Sequence, residues 1–219
     1  MTAATVLEEE LAQRPRALVV LPTGNTPLPL YAELRRRGGT GAMRVAMLDD
    51  YYDADSLATN SYQWLRREVL DPLKIGAERL LRIPTAPDNL PAACAGYEAA
   101  LERAGGCNLI YLGLGPNGHI GFNEPGSAIT SRTRLVTLTD ETAAANAEYW
   151  KGAYCPRAAV TMGIATILEA RRICLLVGGR GKSAALRAAL EGPETPDIPA
   201  SYLRRARGLV VIADRACLQ

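Results

Sequence analysis

Two rhythms alternate along this chain. Short runs with few polar residues recur at 17–21 (ALVVL), 44–48 (RVAML), 108–115 (NLIYLGLG), 134–138 (RLVTL), 172–179 (RICLLVGG) and 208–214 (GLVVIAD). Their length and β-branched content predict buried strands. Between them, segments 27–37, 61–70, 91–104, 142–151, 163–170 and 182–191 return an apolar residue every three or four positions, which predicts helices with one face inward. Strands alternating with helices give an α/β fold, a mostly parallel sheet covered on both faces. In such a sheet ligands gather beyond the carboxyl ends of the strands. The proline-dense stretches PTAPDNLP (84–91) and PETPDIP (193–199) mark loops, and residues 1–219 read as one domain.

Composition narrows the classes. Of 219 residues, 48% are hydrophobic and 22% charged, with a net charge of +2, the balance of a soluble globular chain without a polyanionic partner. The clusters Arg35–Arg37 and Arg204–Arg205 read as solvated helix ends, where cations suit the dipole. No aromatics interleave with them, so no nucleic-acid face is expected. Cys94, Cys107, Cys155, Cys174 and Cys217 are odd in number and lack C-x-x-C spacing, which argues against a disulfide framework or a zinc site. They fit small buried residues in a reducing compartment. The start, MTAATVLEEELAQR, has no basic flank with an apolar run, and no segment has the length of a membrane span. A cytoplasmic protein without a membrane partner is expected.

Chemistry collects at four strand ends. After the first strand, Thr23-Gly24-Asn25-Thr26 precedes Pro27 at a helix start, an arrangement that can seat a phosphate on backbone N–H groups. An ordinary turn capped by Thr26 fits the same spacing. After the second strand come Asp49 and Asp50; adjacent buried acids raise each other's pKa, and a carboxylate so placed can take a proton from carbon or hydroxyl. A helix cap is the alternative. Past the third strand lies His119, the single histidine, in LGPNGHIGFNEPGS (114–127), with Glu124 five residues on. With no second histidine, a two-histidine metal site is excluded; a carboxylate partner would fix the ring's tautomer and raise its pKa. After the fifth strand, Lys182 opens a helix, where a cation is poorly placed unless an anion is bound.

These stretches resemble the glucosamine-6-phosphate deaminases (isomerases). The likeness is carried by LPTGNTPLPLY, MLDDYY, LGPNGHIGFNEPGSAITSRTRLVTLTDETAAAN and AVTMGIATILEARRICLLVGGRGKSAAL, and spans roughly residues 17–215. The His-Ile-x-Phe-Asn-Glu-Pro run followed by Ser-Arg-Thr-Arg separates the chain from the 6-phosphogluconolactonases of the same superfamily. The resemblance implies a three-layer α/β sandwich with a Rossmann-like sheet, and isomerisation of an amino sugar phosphate coupled to loss of ammonia, without metal or organic cofactor. It implies Asp49 as the base between C1 and C2, with Asp50 beside it at the substrate. His119 would move the ring-opening proton between O5 and O1, and Glu124 would orient it. Thr23, Gly24, Asn25 and Thr26 would form the phosphate loop with Lys182. Relatives with this pattern occur as monomers and as homo-oligomers.

Three positions depart from the pattern. Asn117 stands where aspartate is usual, so His119 loses one anion and its protonated form is less favoured. Glu148 stands where an arginine helps to hold the phosphate, and Asn25 where a second glycine is usual. They suggest a divergent member with a different sugar phosphate, or one that isomerises without releasing ammonia. A lactonase and a non-catalytic sugar-phosphate sensor are the competing readings.

Overall fold

The structure, a computed structural model, describes residues 2–53, 60–147 and 156–218. Six parallel strands form the central sheet: β1 (Leu18–Leu21), β2 (Arg44–Met47), β4 (Leu80–Leu81), β5 (Leu109–Gly113), β8 (Arg172–Val177) and β9 (Leu209–Ala213). Their order is β4-β2-β1-β5-β8-β9. The chain therefore builds outward from β1 in one direction, then returns to β1's other side with β5 and builds the opposite way. This reversal between β1 and β5 is the topological switch point, where the loops leaving two neighbouring strands splay apart.

The expected α/β architecture is present, with helices flanking the sheet. These are α1 (Ala3–Gln13), α2 (Leu28–Arg37), α3 (Ser61–Leu65, continued by a π-helical turn to Leu70), α4 (Leu90–Arg103), α5 (Asp140–Ala147), α6 (Ile164–Leu168) and α7 (Ser183–Glu191). Residues 148–151 of the expected fourth helix lie outside the described residues. The two innermost strands are buried along their apolar length, as parallel strands covered on both faces must be: Leu18, Val19, Val20, Leu109, Ile110 and Leu112 have no exposed surface. Each such side chain contributes about 1.5–3 kcal/mol of transfer free energy. Cys94, Cys107, Cys174 and Cys217 are buried free thiols, and Cys155 lies outside the described residues.

A second sheet departs from the reading of the sequence. β3 (Asp49–Tyr51), β7 (Ala158–Thr161) and β6 (Arg134–Thr137) form an antiparallel sheet in the order β3-β7-β6. The run at 134–138 thus joins this small sheet, not the parallel one. Its residues alternate between half-buried and exposed, with Leu135 47% exposed, the pattern of a strand with one wet face. The pairing carries the chain directly from β2, through Leu48, into β3, so Asp49 is held in a ladder rather than on a free loop.

Candidate active site

The loops leaving β1 and β5 enclose a cleft of about 270 Å³ with the segment after β2. Thr23, Gly24, Asn25, Thr26, Asp49, His119 and Lys182 all line it. Groups more than 150 residues apart in sequence thus face one cavity because the strands they follow, β1 and β8, are separated by β5 alone.

The turn after β1 needs Gly24, whose φ of +97° is one that side-chain-bearing residues rarely adopt. Helix α2 then starts at Leu28 without a side-chain cap, so Thr26 does not close its end. The buried Tyr31 hydroxyl donates to the carbonyl of Pro22 at 2.6 Å and anchors the turn from below. Tyr97 of α4 does the same for the next strand, donating to the carbonyl of Met47 at 2.5 Å, two residues before Asp49.

The two adjacent acids have different surroundings. Asp50 is fully buried away from the cleft's lining; its carboxylate accepts from the N–H groups of Tyr51 (2.8 Å), Ser61 (2.7 Å) and Tyr62 (3.1 Å), and so holds the start of α3. Burial raises its pKa against those three donors. Asp49 faces the cleft, and burial, reinforced by the charge of Asp50, pushes its pKa up to about 8. Gly121 (φ +56°) lets the histidine loop cross it: a Cβ there would meet Asp49 Oδ2 at 3.1 Å and Thr161 Oγ1 at 3.0 Å.

His119 is held from behind. Its Nδ1 lies 2.8 Å from Asn117 Oδ1, which also accepts from the His119 N–H at 3.2 Å. The Asn117 amide donates to Glu124 Oε2 at 3.0 Å, so its oxygen is the atom that faces the ring. An amide oxygen only accepts; the ring must therefore carry its proton on Nδ1, leaving the Nε2 lone pair free. Glu124 Oε2 lies 3.7 Å from Nδ1. Glu124 pulls the imidazole pKa up, as the sequence leads one to expect of a carboxylate partner, but it does not set the net direction. Burial lowers it and outweighs the opposing pull of Glu124, and Lys182 lowers it further.

Lys182 follows Gly179 (φ +94°), whose N–H donates to Asp214 at 2.9 Å, and it directly precedes α7. Desolvation lowers the lysine's pKa. Glu141 and Thr142, at the start of α5, complete the lining together with Trp64. Glu148 lies outside the described residues. Among the described residues no cluster of three or more His, Cys, Asp or Glu could hold a metal ion.

Asp49, His119, Lys182 and the 23–26 turn thus share one cleft, Asn117 and Glu124 stand behind the histidine, and Asp50 supports a helix. Tyr31, Tyr97 and Thr161 escape the sequence reading. The tyrosines had one available signal: a phenol on an otherwise apolar helix face must find an acceptor when buried.

Comparison with known proteins bears on this geometry. A sequence model of the family described as glucosamine-6-phosphate isomerases/6-phosphogluconolactonase matches residues 2–212. The chain is 41% identical over 221 residues to the glucosamine-6-phosphate deaminase of Streptomyces avermitilis, covering 97% of this chain and 85% of that one. It is 38% identical over 226 residues to that of Halalkalibacterium halodurans, covering 100% and 92%. Among solved structures it is similar to a monomeric glucosamine-6-phosphate deaminase of the NagB superfamily, with a TM-score of 0.94, 34% identity and coverage of 99% and 92%. The 6-phosphogluconolactonase of Thermotoga maritima gives 0.75 at 21% identity over 95% and 90%, a likeness of fold.

Proposed function

The chain belongs to the family of glucosamine-6-phosphate isomerases and 6-phosphogluconolactonases, and from that premise we propose that it converts an amino sugar phosphate to a ketose phosphate with loss of ammonia. Glucosamine 6-phosphate, giving fructose 6-phosphate, or a close analogue is the substrate. The observation that carries this reading is the convergence of Asp49, His119, Lys182 and the 23–26 turn on one cleft at the switch point.

The chemistry follows from the groups. His119 presents the Nε2 lone pair, accepts the O1 proton of the closed sugar and returns a proton to O5, which opens the ring to the aldehyde. Asp49, as carboxylate, takes the proton from C2 and delivers it to C1, while the C2 ammonium group gives up one proton and O1 takes one up to become the C1 hydroxyl. The double bond then lies between C2 and nitrogen; water adds at C2 and ammonia leaves. The net reaction consumes one water and releases one ammonia. A base with a pKa of about 8 is well matched to a proton next to a carbonyl, and each positioned proton-transfer group is worth about 10²–10⁴-fold. Lys182 and the turn after β1 take the phosphate, whose binding energy orients the reacting carbons at a distance.

The test is to incubate the protein with glucosamine 6-phosphate and measure ammonia and fructose 6-phosphate separately. Equal amounts of both support the reading. Ketose phosphate that keeps its nitrogen would mean isomerisation alone, and a lactone hydrolysed without either product would overturn it.

A further inference from the structure

The run Ser131-Arg132-Thr133-Arg134 follows the histidine loop, and the chemistry above makes no use of it. Three of its members serve the scaffold. Ser131 Oγ accepts from the N–H of Ile164 at the start of α6 (3.0 Å), Arg132 pairs with Glu169, and the N–H of Thr133 donates to Glu98 at 2.7 Å. Arg134 does something else.

Arg134 opens β6 opposite Thr161 of β7, and Thr161 stands opposite Asp49 of β3. Directly opposed residues of an antiparallel sheet project to the same face, so the proposed base, Thr161 and the arginine form one row. The histidine loop lies across that row, with the N–H of Phe122 donating to Thr161 Oγ1 at 3.2 Å. The guanidinium of Arg134 then grips the loop twice, donating from Nη1 to Asn123 Oδ1 at 2.9 Å and from Nη2 to Ser127 Oγ at 3.1 Å. Asn123 is fully buried and donates to the carbonyls of Ile120 (3.0 Å) and Met162 (2.8 Å). The N–H of Ser127 donates to the carbonyl of Glu124 at 3.0 Å. The two grips therefore bracket Glu124.

Glu124 needs such support. Asn117 donates to its Oε2, but its buried Oε1 has no hydrogen-bond partner among the described residues. A buried carboxylate so incompletely paired is held in place by its backbone rather than by its own contacts. Among the described residues Arg134, for its part, donates only to uncharged acceptors, Asn123, Ser127 and the carbonyl of Arg132 (3.4 Å). It serves as a fork with two fixed prongs, a geometry lysine cannot supply.

We propose that Arg134 is a positioning residue: by clamping Asn123 and Ser127 it seats Glu124 against Asn117 and, through Asn117, holds His119 in its Nδ1–H tautomer. The inference deepens the function proposed above and rests on it for its effect on turnover, while the tautomer itself is observable without turnover.

The chain's single histidine makes the test clean. Long-range ¹H–¹⁵N correlation spectra of the full chain report the His119 tautomer directly, in the wild type and in Arg134→Met, Arg134→Lys and Ser127→Ala. In the wild type we expect the Nδ1–H form alone. Arg134→Met should show a mixture of tautomers, with kcat reduced about 10²-fold and KM within about threefold, the signature of misplaced rather than missing groups. Arg134→Lys should fall between. A wild-type His119 spectrum and unchanged kcat in folded Arg134→Met would overturn the proposal. Should Arg134→Met not fold, Ser127→Ala removes one prong alone. It should move the tautomer ratio and kcat in the same direction by less, and no movement in either would overturn the proposal. A wild type that releases no ammonia would strike the proposed reaction, whereas an unaltered spectrum in the variants strikes the role of Arg134.

Discussion

Asn117 reaches both of its neighbours with one amide: its oxygen lies 2.8 Å from Nδ1 of His119 and its nitrogen 3.0 Å from Oε2 of Glu124. Glu124 is thus linked to the ring through a neutral group, and the imidazole is held in one orientation. Asn117→Asp should put a second anion against Nδ1 and raise the His119 pKa, as an adjacent opposite charge does. It should also lose the donor to Glu124 and set two carboxylates side by side. Asn117→Leu should lose the orientation altogether, with turnover falling by up to about 10⁴-fold, the cost of a wrong tautomer in a serine protease triad. An NMR titration of the single histidine, run beside an ammonia-release assay, checks both variants.

Asp49 gives a prediction with two faces. Its pKa of about 8 places the deprotonation that creates the base on the alkaline side of neutral, so kcat/KM should rise with pH through that value. Asp49→Asn should abolish turnover while leaving the fold intact. The same shift acts on stability. A carboxyl whose folded pKa exceeds its unfolded value of about 3.9 binds its proton more tightly when folded. That stabilisation is full below pH 4 and is lost as pH rises through about 8. Relative to Asp49→Asn, the wild type should weaken across that window by an amount on the order of 5 kcal/mol. Urea melts at pH 4.5 and pH 9 measure it; parallel curves for the two proteins would refute the buried-acid account.

Lys182 should act on binding more than on chemistry, because it faces the cleft from the start of α7 and, among the described residues, makes no hydrogen bond to Asp49 or His119. Lys182→Met should raise KM for the sugar phosphate by about 10–100-fold, the loss of one charge-assisted contact, with kcat changed far less. A comparison with the unphosphorylated amino sugar, which should be indifferent to the substitution, separates loss of the phosphate contact from general damage.

Gly115 offers a steric probe of the histidine. Its φ lies outside the left-handed region, so alanine is acceptable to the backbone, but an added Cβ would collide with the His119 ring. Gly115→Ala should leave the melting temperature nearly unchanged if the ring swings away, and should reduce kcat by about 10²-fold, since small misplacements of a proton-transfer group cost that much. A fully active Gly115→Ala would mean that the position of this ring is unimportant to the reaction.

Much of this was legible in the chain. Buried strands announce themselves by apolar runs, and the carboxyl-end rule then directs attention to Asp49, His119 and Lys182 without coordinates. The small sheet was hidden for a physical reason: β3 is Asp-Asp-Tyr, and its acids are buried, one facing the cleft and one holding the start of α3, against the pattern that identifies strands. The direction of the histidine's pKa was hidden as well. A nearby glutamate is visible in sequence, whereas the desolvation that outweighs it arises only when the loop is packed. Arg134 looks like one more surface cation until the register of β6 with β7 turns it toward the histidine loop.

The small sheet also separates two demands on the enzyme. The chain leaves it at Thr137 and re-enters at Ala158 on the adjacent strand, while Asp49 is registered against Thr161 farther along that strand. The described start of the intervening stretch carries the cleft-lining Glu141 and Thr142, which take no part in the ladder that registers Asp49. Substitutions at those two positions therefore reshape the wall that a ligand meets while the neighbouring ladder keeps Asp49 in its place.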